Sequence, residues 1–122
     1  MKKIEAIIRE EKMNDVVDAL IAAEITGITV YQVMGCGTQR GMKTLVRGRE
    51  VVTQILPKIK LEIVVSDEKW EKGAVDTIMR TAGTGHYGDG KIFTYDLDNV
   101  IRIRTGEQGY DAINSSKVEE EK

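Results

Sequence analysis

The sequence predicts an α+β domain in which a strand–helix–strand unit occurs twice. Three observations carry this. Apolar residues alternate at 2–9 and again at 58–65, apolar residues at helical spacing follow each run, and β-branched or aromatic stretches at 28–34 and 91–97 follow each helix. The 122 residues fit one domain. A chain of this length buries roughly two thirds of the surface that its unfolded form exposes, so a core forms without disulfides or metal.

In the first strand, Ile4, Ala6 and Ile8 oppose Lys3, Glu5, Ile7 and Arg9. Met13, Val16, Val17, Leu20 and Ile21 then recur at i, i+3, i+4, i+7 and i+8, which predicts a helix over about 13–24, with Gly27 shortly after it as a stop or turn signal. Residues 28–34 are rich in β-branched types and predict the second strand. From Gly35 to Pro57 no core face is evident, and the stretch is basic (Arg40, Lys43, Arg47, Arg49). A loop of that length inside a compact domain is functional or marks a misplaced boundary. Its middle, 45–52, reads as a loose hairpin with Gly48 near the tip.

The second half repeats the first. Ile59, Leu61, Ile63 and Val65 oppose Lys58, Lys60, Glu62 and Val64. Ser66-Asp67 caps a helix whose apolar stripe is Trp70, Ala74, Val75, Ile78, Met79 and Ala82, with Gly83 at its C′ position. A strand follows at 91–97. The piece 100–104 alternates, with Ile101 and Ile103 on one face and Arg102 and Arg104 on the other. This order is that of the ferredoxin-like split-βαβ sandwich. Its sheet carries helices on one face only, so a homo-oligomer is expected to cover the apolar side chains of the other. Residues 114–122 are polar and expected to be a disordered tail.

Bulk numbers exclude several classes. Lys+Arg is 18 and Asp+Glu is 20, a net charge of −2, which counts against a general nucleic-acid binder. No apolar run approaches the ~18 residues of a membrane span, and the N-terminus lacks the apolar region of a signal peptide. One Cys and one His exclude a Cys/His zinc site within a single chain, and the lone Cys36 fits a reducing cytoplasm. A buried thiol is the expected state of Cys36, a solvated side chain that of His86, and a core position that of Trp70.

Eight of the 12 glycines fall in two clusters, at 35, 37, 41 and 48 and at 83, 85, 88 and 90. Gly83-Thr84-Gly85-His86-Tyr87-Gly88 matches GxGxxG, but a helix precedes it and a strand follows, the reverse of a dinucleotide fold. The stretch 85–92 nearly matches a Walker motif, but Ile92 stands where Ser or Thr would hold Mg²⁺, so it is not a P-loop NTPase. The ingredients of an anion cradle remain: flexible backbone N–H groups, Lys91 beside them, and Arg102 and Arg104. The residues alone leave two readings open, a connecting loop with solvent-exposed arginines or an anion site. The first cluster, 35–41, is open in the same way. No pairing of carboxylates, Cys36 or His86 marks a catalytic centre.

The segments Lys2-Lys3-Ile4-Glu5-Ala6-Ile7-Ile8-Arg9, Gly35-Cys36-Gly37-Thr38-Gln39-Arg40-Gly41, Gly88-Asp89-Gly90-Lys91-Ile92-Phe93 and Ile101-Arg102-Ile103-Arg104-Thr105-Gly106-Glu107 together resemble the PII-type nitrogen regulatory proteins. The likeness runs to about Ile113. It implies a ferredoxin-like homotrimer, with residues 1–113 as the domain, that binds ATP or ADP competitively at subunit clefts and 2-oxoglutarate together with Mg-ATP. It also implies a T-loop, about 37–55, that engages an ammonium transporter or nitrogen-assimilation enzymes and regulators. Such proteins are signal proteins rather than enzymes.

Carried over by position, Gly88, Asp89, Gly90 and Lys91 match the phosphate site, with Arg102 and Arg104 reaching across the subunit boundary. Thr29, Gly37, Thr38 and Val64 match nucleotide-contacting positions. Gln39 matches the residue that helps hold Mg²⁺, Lys58 the residue that meets a 2-oxoglutarate carboxylate, and Gly41 the backbone that closes on that ligand. Arg47, with Gly48 and Arg49, matches the partner-docking tip. The departures are specific. Val51 replaces the tyrosine that many members have uridylylated, so no uridylylation is expected there. Arg49 stands where some relatives carry a phosphorylated serine, and His86 where lysine is common. Glu10 and Ser66 replace prolines, and 67–83 is one residue longer than typical. A divergent trimer that senses nucleotide alone or another small molecule, or a weak ATPase, are the alternatives.

Overall fold

The computed structural model describes residues 1–38, 44–46, 49–51 and 53–113. Strand β1 (Lys2–Arg9) buries Ile4, Ala6 and Ile8 and turns the alternate side chains the other way. A short 3-10 turn, Glu10–Lys12, leads into helix α1 (Met13–Ala22), which buries Val16 and Leu20. The expected continuation to 24 is corrected, while Gly27, with φ 72°, lies in the connection that follows. The helix closes at Glu24, which adopts φ 65°. The Glu24 N–H donates to the Ile21 carbonyl and the Ile25 N–H to the Leu20 carbonyl, each at 2.9 Å. This paired ending usually employs glycine in the left-handed position. It also places Ile25 in the same buried cluster as Leu20.

Strands β2 (Thr29–Thr38) and β5 (Thr53–Val65) run further than the apolar pattern indicates. They pair from Thr29↔Glu62 out to Thr38↔Thr53. The described side chains of 35–38 and 53–57 show no core face: Cys36, Ile55 and Pro57 are exposed, and Gly35 and Leu56 are only partly covered. The partner of each segment is the other's backbone. Pro57 sits within this ribbon, where the β1–β5 pairing has already ended at Arg9↔Lys58. It therefore occupies an edge position of the kind proline tolerates. Cys36 is exposed rather than buried, as are Met34 and Ile55, because the ribbon extends past the helices. Beyond it, β3 (Thr44–Val46) and β4 (Arg49–Val51) pair as the expected hairpin, with Val46 opposite Arg49.

Helix α2 (Glu68–Ala82) starts as expected: the Asp67 carboxylate accepts from the Trp70 N–H at 3.0 Å. Its buried face is Ala74, Thr77, Ile78 and Ala82. Trp70 and Met79, expected in the stripe, are exposed instead, at 39% and 63%. Thr77 takes the inward position, and its hydroxyl donates to the Gly73 carbonyl at 2.8 Å, so no polar atom is stranded. Gly83 is not left-handed as its cap role requires, since its φ is −73°. Glycine serves there because a Cβ would stand 2.9 Å from the Met79 carbonyl oxygen.

Strand β6 (Gly90–Asp96) completes a four-stranded antiparallel sheet of order β2-β5-β1-β6. This is the ferredoxin-like arrangement. Residues 100–104 do not form the expected strand. They turn back on themselves, with Ile101 bridging Gln108 and the Gly106 N–H donating to the Arg102 carbonyl at 2.8 Å. Alternation needs a neighbouring strand to become a strand, and here the chain reverses within five residues. Ile103 is left fully exposed at 101%. A short helix, α3 (Tyr110–Ile113), tucks Ala112 inward.

The core lies between the helices and one sheet face. The opposite face is less apolar than expected. Glu62 accepts from the Tyr31 hydroxyl at 3.2 Å and pairs with Lys60 at 3.2 Å and Lys3 at 3.4 Å. The Tyr95 hydroxyl donates to Glu5 at 2.8 Å. Desolvation opposes ionisation of Glu62, but hydrogen bonds from Lys60 and Tyr31 and the Lys3 charge outweigh it and hold its carboxyl below the usual range.

The left-handed ending of α1 is testable. Glu24→Gly should raise unfolding free energy by about 0.5–1 kcal/mol, the relief of left-handed strain less the added freedom of the unfolded chain. Urea denaturation measures it, and a loss of stability would contradict the ending described.

Candidate functional site

The site is assembled at one end of the sheet, where β1 stops. Arg9 and Lys58 are direct cross-strand partners there, Ile8 pairs with Gly90, and Ile7 pairs with Lys91. Alternation places Ile8, Ile59 and Ile92 on the helix side, so Arg9, Lys58 and Lys91 share the other side. Two like charges on one rung repel. The glycine loop, 83–90, folds over them and answers each. Arg9 donates to the Tyr87 carbonyl at 2.7 Å and to the Asp89 carboxylate at 2.9 Å. The Lys58 ammonium donates to the Gly88 carbonyl at 2.5 Å.

The loop needs its glycines in specific places. Gly85, Gly88 and Gly90 have φ of 82°, 95° and 108°. At Gly90 a Cβ would lie only 1.7 Å from the Ile7 carbonyl oxygen, so no other residue lets β6 approach β1 here. Asp89 joins the two ends of the loop by accepting from the Thr84 N–H and hydroxyl and from the Gly85 N–H. The Thr84 hydroxyl is the chief cause holding the Asp89 carboxyl well below the usual range. Desolvation opposes it, and the Thr84 amide, Arg9 and the Gly85 amide add to it.

The expected site residues do not all meet. Gly88, Asp89, Gly90, Lys91 and Lys58 come together. Thr29 and Val64 lie toward the other end of the sheet, Thr29 opposite Glu62. Val64 lines a small pocket of about 170 Å³ with Ile25, Thr26 and Trp70. Gly37 and Thr38 sit on the ribbon opposite Gln54 and Thr53. Arg102 and Arg104 lie in the 100–108 turn rather than on one strand face. Arg102 donates to the Ala112 carbonyl at 2.7 Å, while its buried Nε has no hydrogen-bond partner among the described residues. His86 is exposed, as expected, and Arg49 begins β4. Gln39, Gly41, Arg47 and Gly48 lie outside the described residues, as does the 114–122 tail.

Two residues of the site escaped the sequence reading, Arg9 and Thr84. Arg9 passes for the last polar position of a strand. The available signal for Thr84 was a hydroxyl next to a glycine with an aspartate five residues on, a spacing that closes a small loop. A groove of about 720 Å³ between α2 and β6, walled by Val75, Ile78, Met79, Ala82 and Ile92, opens on the helix side of the sheet. At its edge it meets the exit of the glycine loop, where Asp89, Gly90 and Lys91 also line it. Among the described residues there is no cluster of His, Cys, Asp and Glu able to hold a metal, and no helix is long and apolar enough to cross a membrane.

The chain matches a family model described as Nitrogen regulatory protein P-II over residues 1–107. It is 54% identical over 113 residues to the Nitrogen regulatory protein P-II of Pasteurella multocida, an alignment covering 93% of this chain and 100% of that one. The P-II protein of Klebsiella oxytoca and the P-II 1 protein of Escherichia coli K12 match with the same identity and coverage.

The steric account of the loop predicts a ranking. Gly90→Ala meets both a left-handed φ and the Ile7 backbone, and should cost at least about 3 kcal/mol. Gly85→Ala meets only the φ, since nothing lies within 4 Å, and should cost about 1 kcal/mol. Equal losses in denaturant melts would contradict the close approach of β6 to β1.

Proposed function

Because the chain belongs to the Nitrogen regulatory protein P-II family, we propose that it is a signal-transduction regulator that binds ATP or ADP, and 2-oxoglutarate with Mg-ATP, at the subunit clefts of a cytoplasmic homotrimer. Its output is binding rather than chemistry. The 37–55 T-loop on the 1–113 domain takes different shapes in different ligand states and engages an ammonium transporter or a nitrogen-assimilation enzyme or regulator through Arg47, Gly48 and Arg49. Val51 offers no hydroxyl for uridylylation, so ligand occupancy is the control at that position.

The observation that carries this reading is the Arg9–Lys58 rung beneath the glycine loop. Two cations are held side by side by neutral carbonyls and one carboxylate, with Lys91 on the same side of the sheet. Such a place favours an anion. In this reading the backbone of Gly88, Gly90 and Lys91 and the Lys91 ammonium receive nucleotide phosphates. Thr29, Gly37, Thr38 and Val64 contribute to the rest of the nucleotide cleft. Arg102, which donates to the Ala112 carbonyl in the 100–108 turn, and Arg104 reach the loop of a neighbouring protomer in this reading. The orphaned Arg102 Nε is a donor suited to phosphate.

Lys58 leaves the Gly88 carbonyl to meet a 2-oxoglutarate carboxylate, and Gly41 closes on the same ligand. Gln39 would hold the Mg²⁺ that accompanies ATP through its amide oxygen, and the metal would supply charge balance for the phosphates. Gln39 begins where β2 ends, so its engagement alters the path of the chain into the T-loop. Partner affinity then changes by linkage, because loop shapes bind ligand and partner unequally.

Calorimetry tests this. 2-Oxoglutarate should bind in the presence of Mg-ATP and not in its absence. Lys58→Ala should weaken 2-oxoglutarate binding at least about tenfold, the usual scale for losing a charged hydrogen bond, while changing ADP binding little. No 2-oxoglutarate heat with Mg-ATP present, or equal losses for both ligands, would overturn the assignment.

A further inference from the structure

Asp89 matches a nucleotide-contacting position, yet its carboxylate is filled from within the protein. Oδ1 accepts from Arg9 Nε at 2.9 Å and from the Thr84 hydroxyl at 2.5 Å. Oδ2 accepts from the Thr84 N–H at 2.8 Å and the Gly85 N–H at 2.9 Å. An ionised carboxylate has about four lone-pair sites, so four donors leave it little capacity for a ligand or a metal.

We propose that Asp89, Arg9 and Thr84 form an internal clamp that closes loop 83–90 into its ligand-binding shape in advance, and that Asp89 is a positioning residue rather than a nucleotide contact. This rests on the reading of that loop as the phosphate site. The clamp ties three points of the loop. Asp89 at its exit holds Thr84 and Gly85 at its entrance. The same Arg9 that reaches Asp89 also holds the middle through the Tyr87 carbonyl at 2.7 Å. The Thr84 hydroxyl, while donating to Asp89, accepts from the His86 N–H at 3.2 Å. Every tie orders a segment whose glycines would otherwise sample many conformations. A loop ordered beforehand loses less entropy when it binds, so the clamp raises affinity without touching the ligand. It also fixes Arg9 at the rung it shares with Lys58, so the position of the lysine is set against a rigid neighbour.

Asp89→Asn is a sharp test because the change is nearly isosteric. Whichever way the amide turns, its NH₂ meets a donor that cannot accept: Arg9 Nε on one side, or the Thr84 and Gly85 N–H groups on the other. Thr84→Val is a milder companion that keeps the Asp89 charge and removes one hydroxyl. Amide hydrogen exchange is measured on the unliganded full-length protein, and ATP and ADP affinities by calorimetry. Asp89→Asn should speed exchange across 84–90 about tenfold or more while α2 amides are unchanged, and should weaken ATP and ADP by similar factors of about ten. Thr84→Val should shift both readouts in the same direction by less. Lost affinity with unchanged loop exchange would make Asp89 a ligand contact and overturn the clamp. Faster exchange with unchanged affinity would show that the loop order does not serve binding, and would overturn it equally. If the wild-type protein binds neither nucleotide, the functional reading fails. In that event unchanged loop exchange in both variants overturns the clamp as well, while faster exchange leaves it as a purely conformational device.

Discussion

Arg9 and Lys58 occupy facing positions on adjacent strands, and two cations so placed repel unless negative potential is supplied between them. The loop from 83 to 90 supplies it with two carbonyl oxygens and the Asp89 carboxylate. Much of the site follows from this. The loop must lie over the end of β1, so β6 must start against Ile8, and only glycine at 90 allows that approach. The rung is balanced by groups that are mostly neutral, which leaves a place where a further anion is favoured.

The same rung connects the cradle to the two-stranded ribbon. Lys58 lies on β5 just past Pro57, where the sheet core gives way to the two-stranded ribbon. The ribbon carries the backbone from the cradle to the hairpin of β3 and β4 without a helix to pack on. Its Met34, Cys36 and Ile55 are therefore exposed, and its conformation depends on backbone pairing rather than on a core.

The fold was legible where burial writes a period into the sequence. The alternation of Ile4, Ala6 and Ile8 and of Ile59, Leu61 and Ile63 located the two central strands, and Val16 and Leu20 located α1. Where structure rests on backbone bonds, the pattern fell silent. The ribbon at 35–38 and 53–57 lacks an apolar face, and the end of α1 is set by Glu24 in a conformation that its side chain does not announce. Where the pattern spoke without a neighbour to answer it, it misled. The alternation of Ile101 and Ile103 has no adjacent strand among the described residues, and Trp70 and Met79 are apolar but exposed. At the site, the glycines and Lys91 were visible in advance because their chemistry is local. Arg9 was not, because its role depends on a partner 80 positions away.

The central claim is that the cradle of Gly85, Gly88, Gly90 and Lys91, with Lys58 beside it, is where ligands act. Backbone-amide NMR of the wild-type protein during titration with Mg-ATP and then 2-oxoglutarate tests it most directly. The account predicts that Mg-ATP shifts the amides of 85–91 most strongly and that 2-oxoglutarate then moves Lys58 and its neighbours on β5. Shifts concentrated instead at Val75, Met79 and Ile92, in the groove on the helix side, with the loop unchanged, would contradict it.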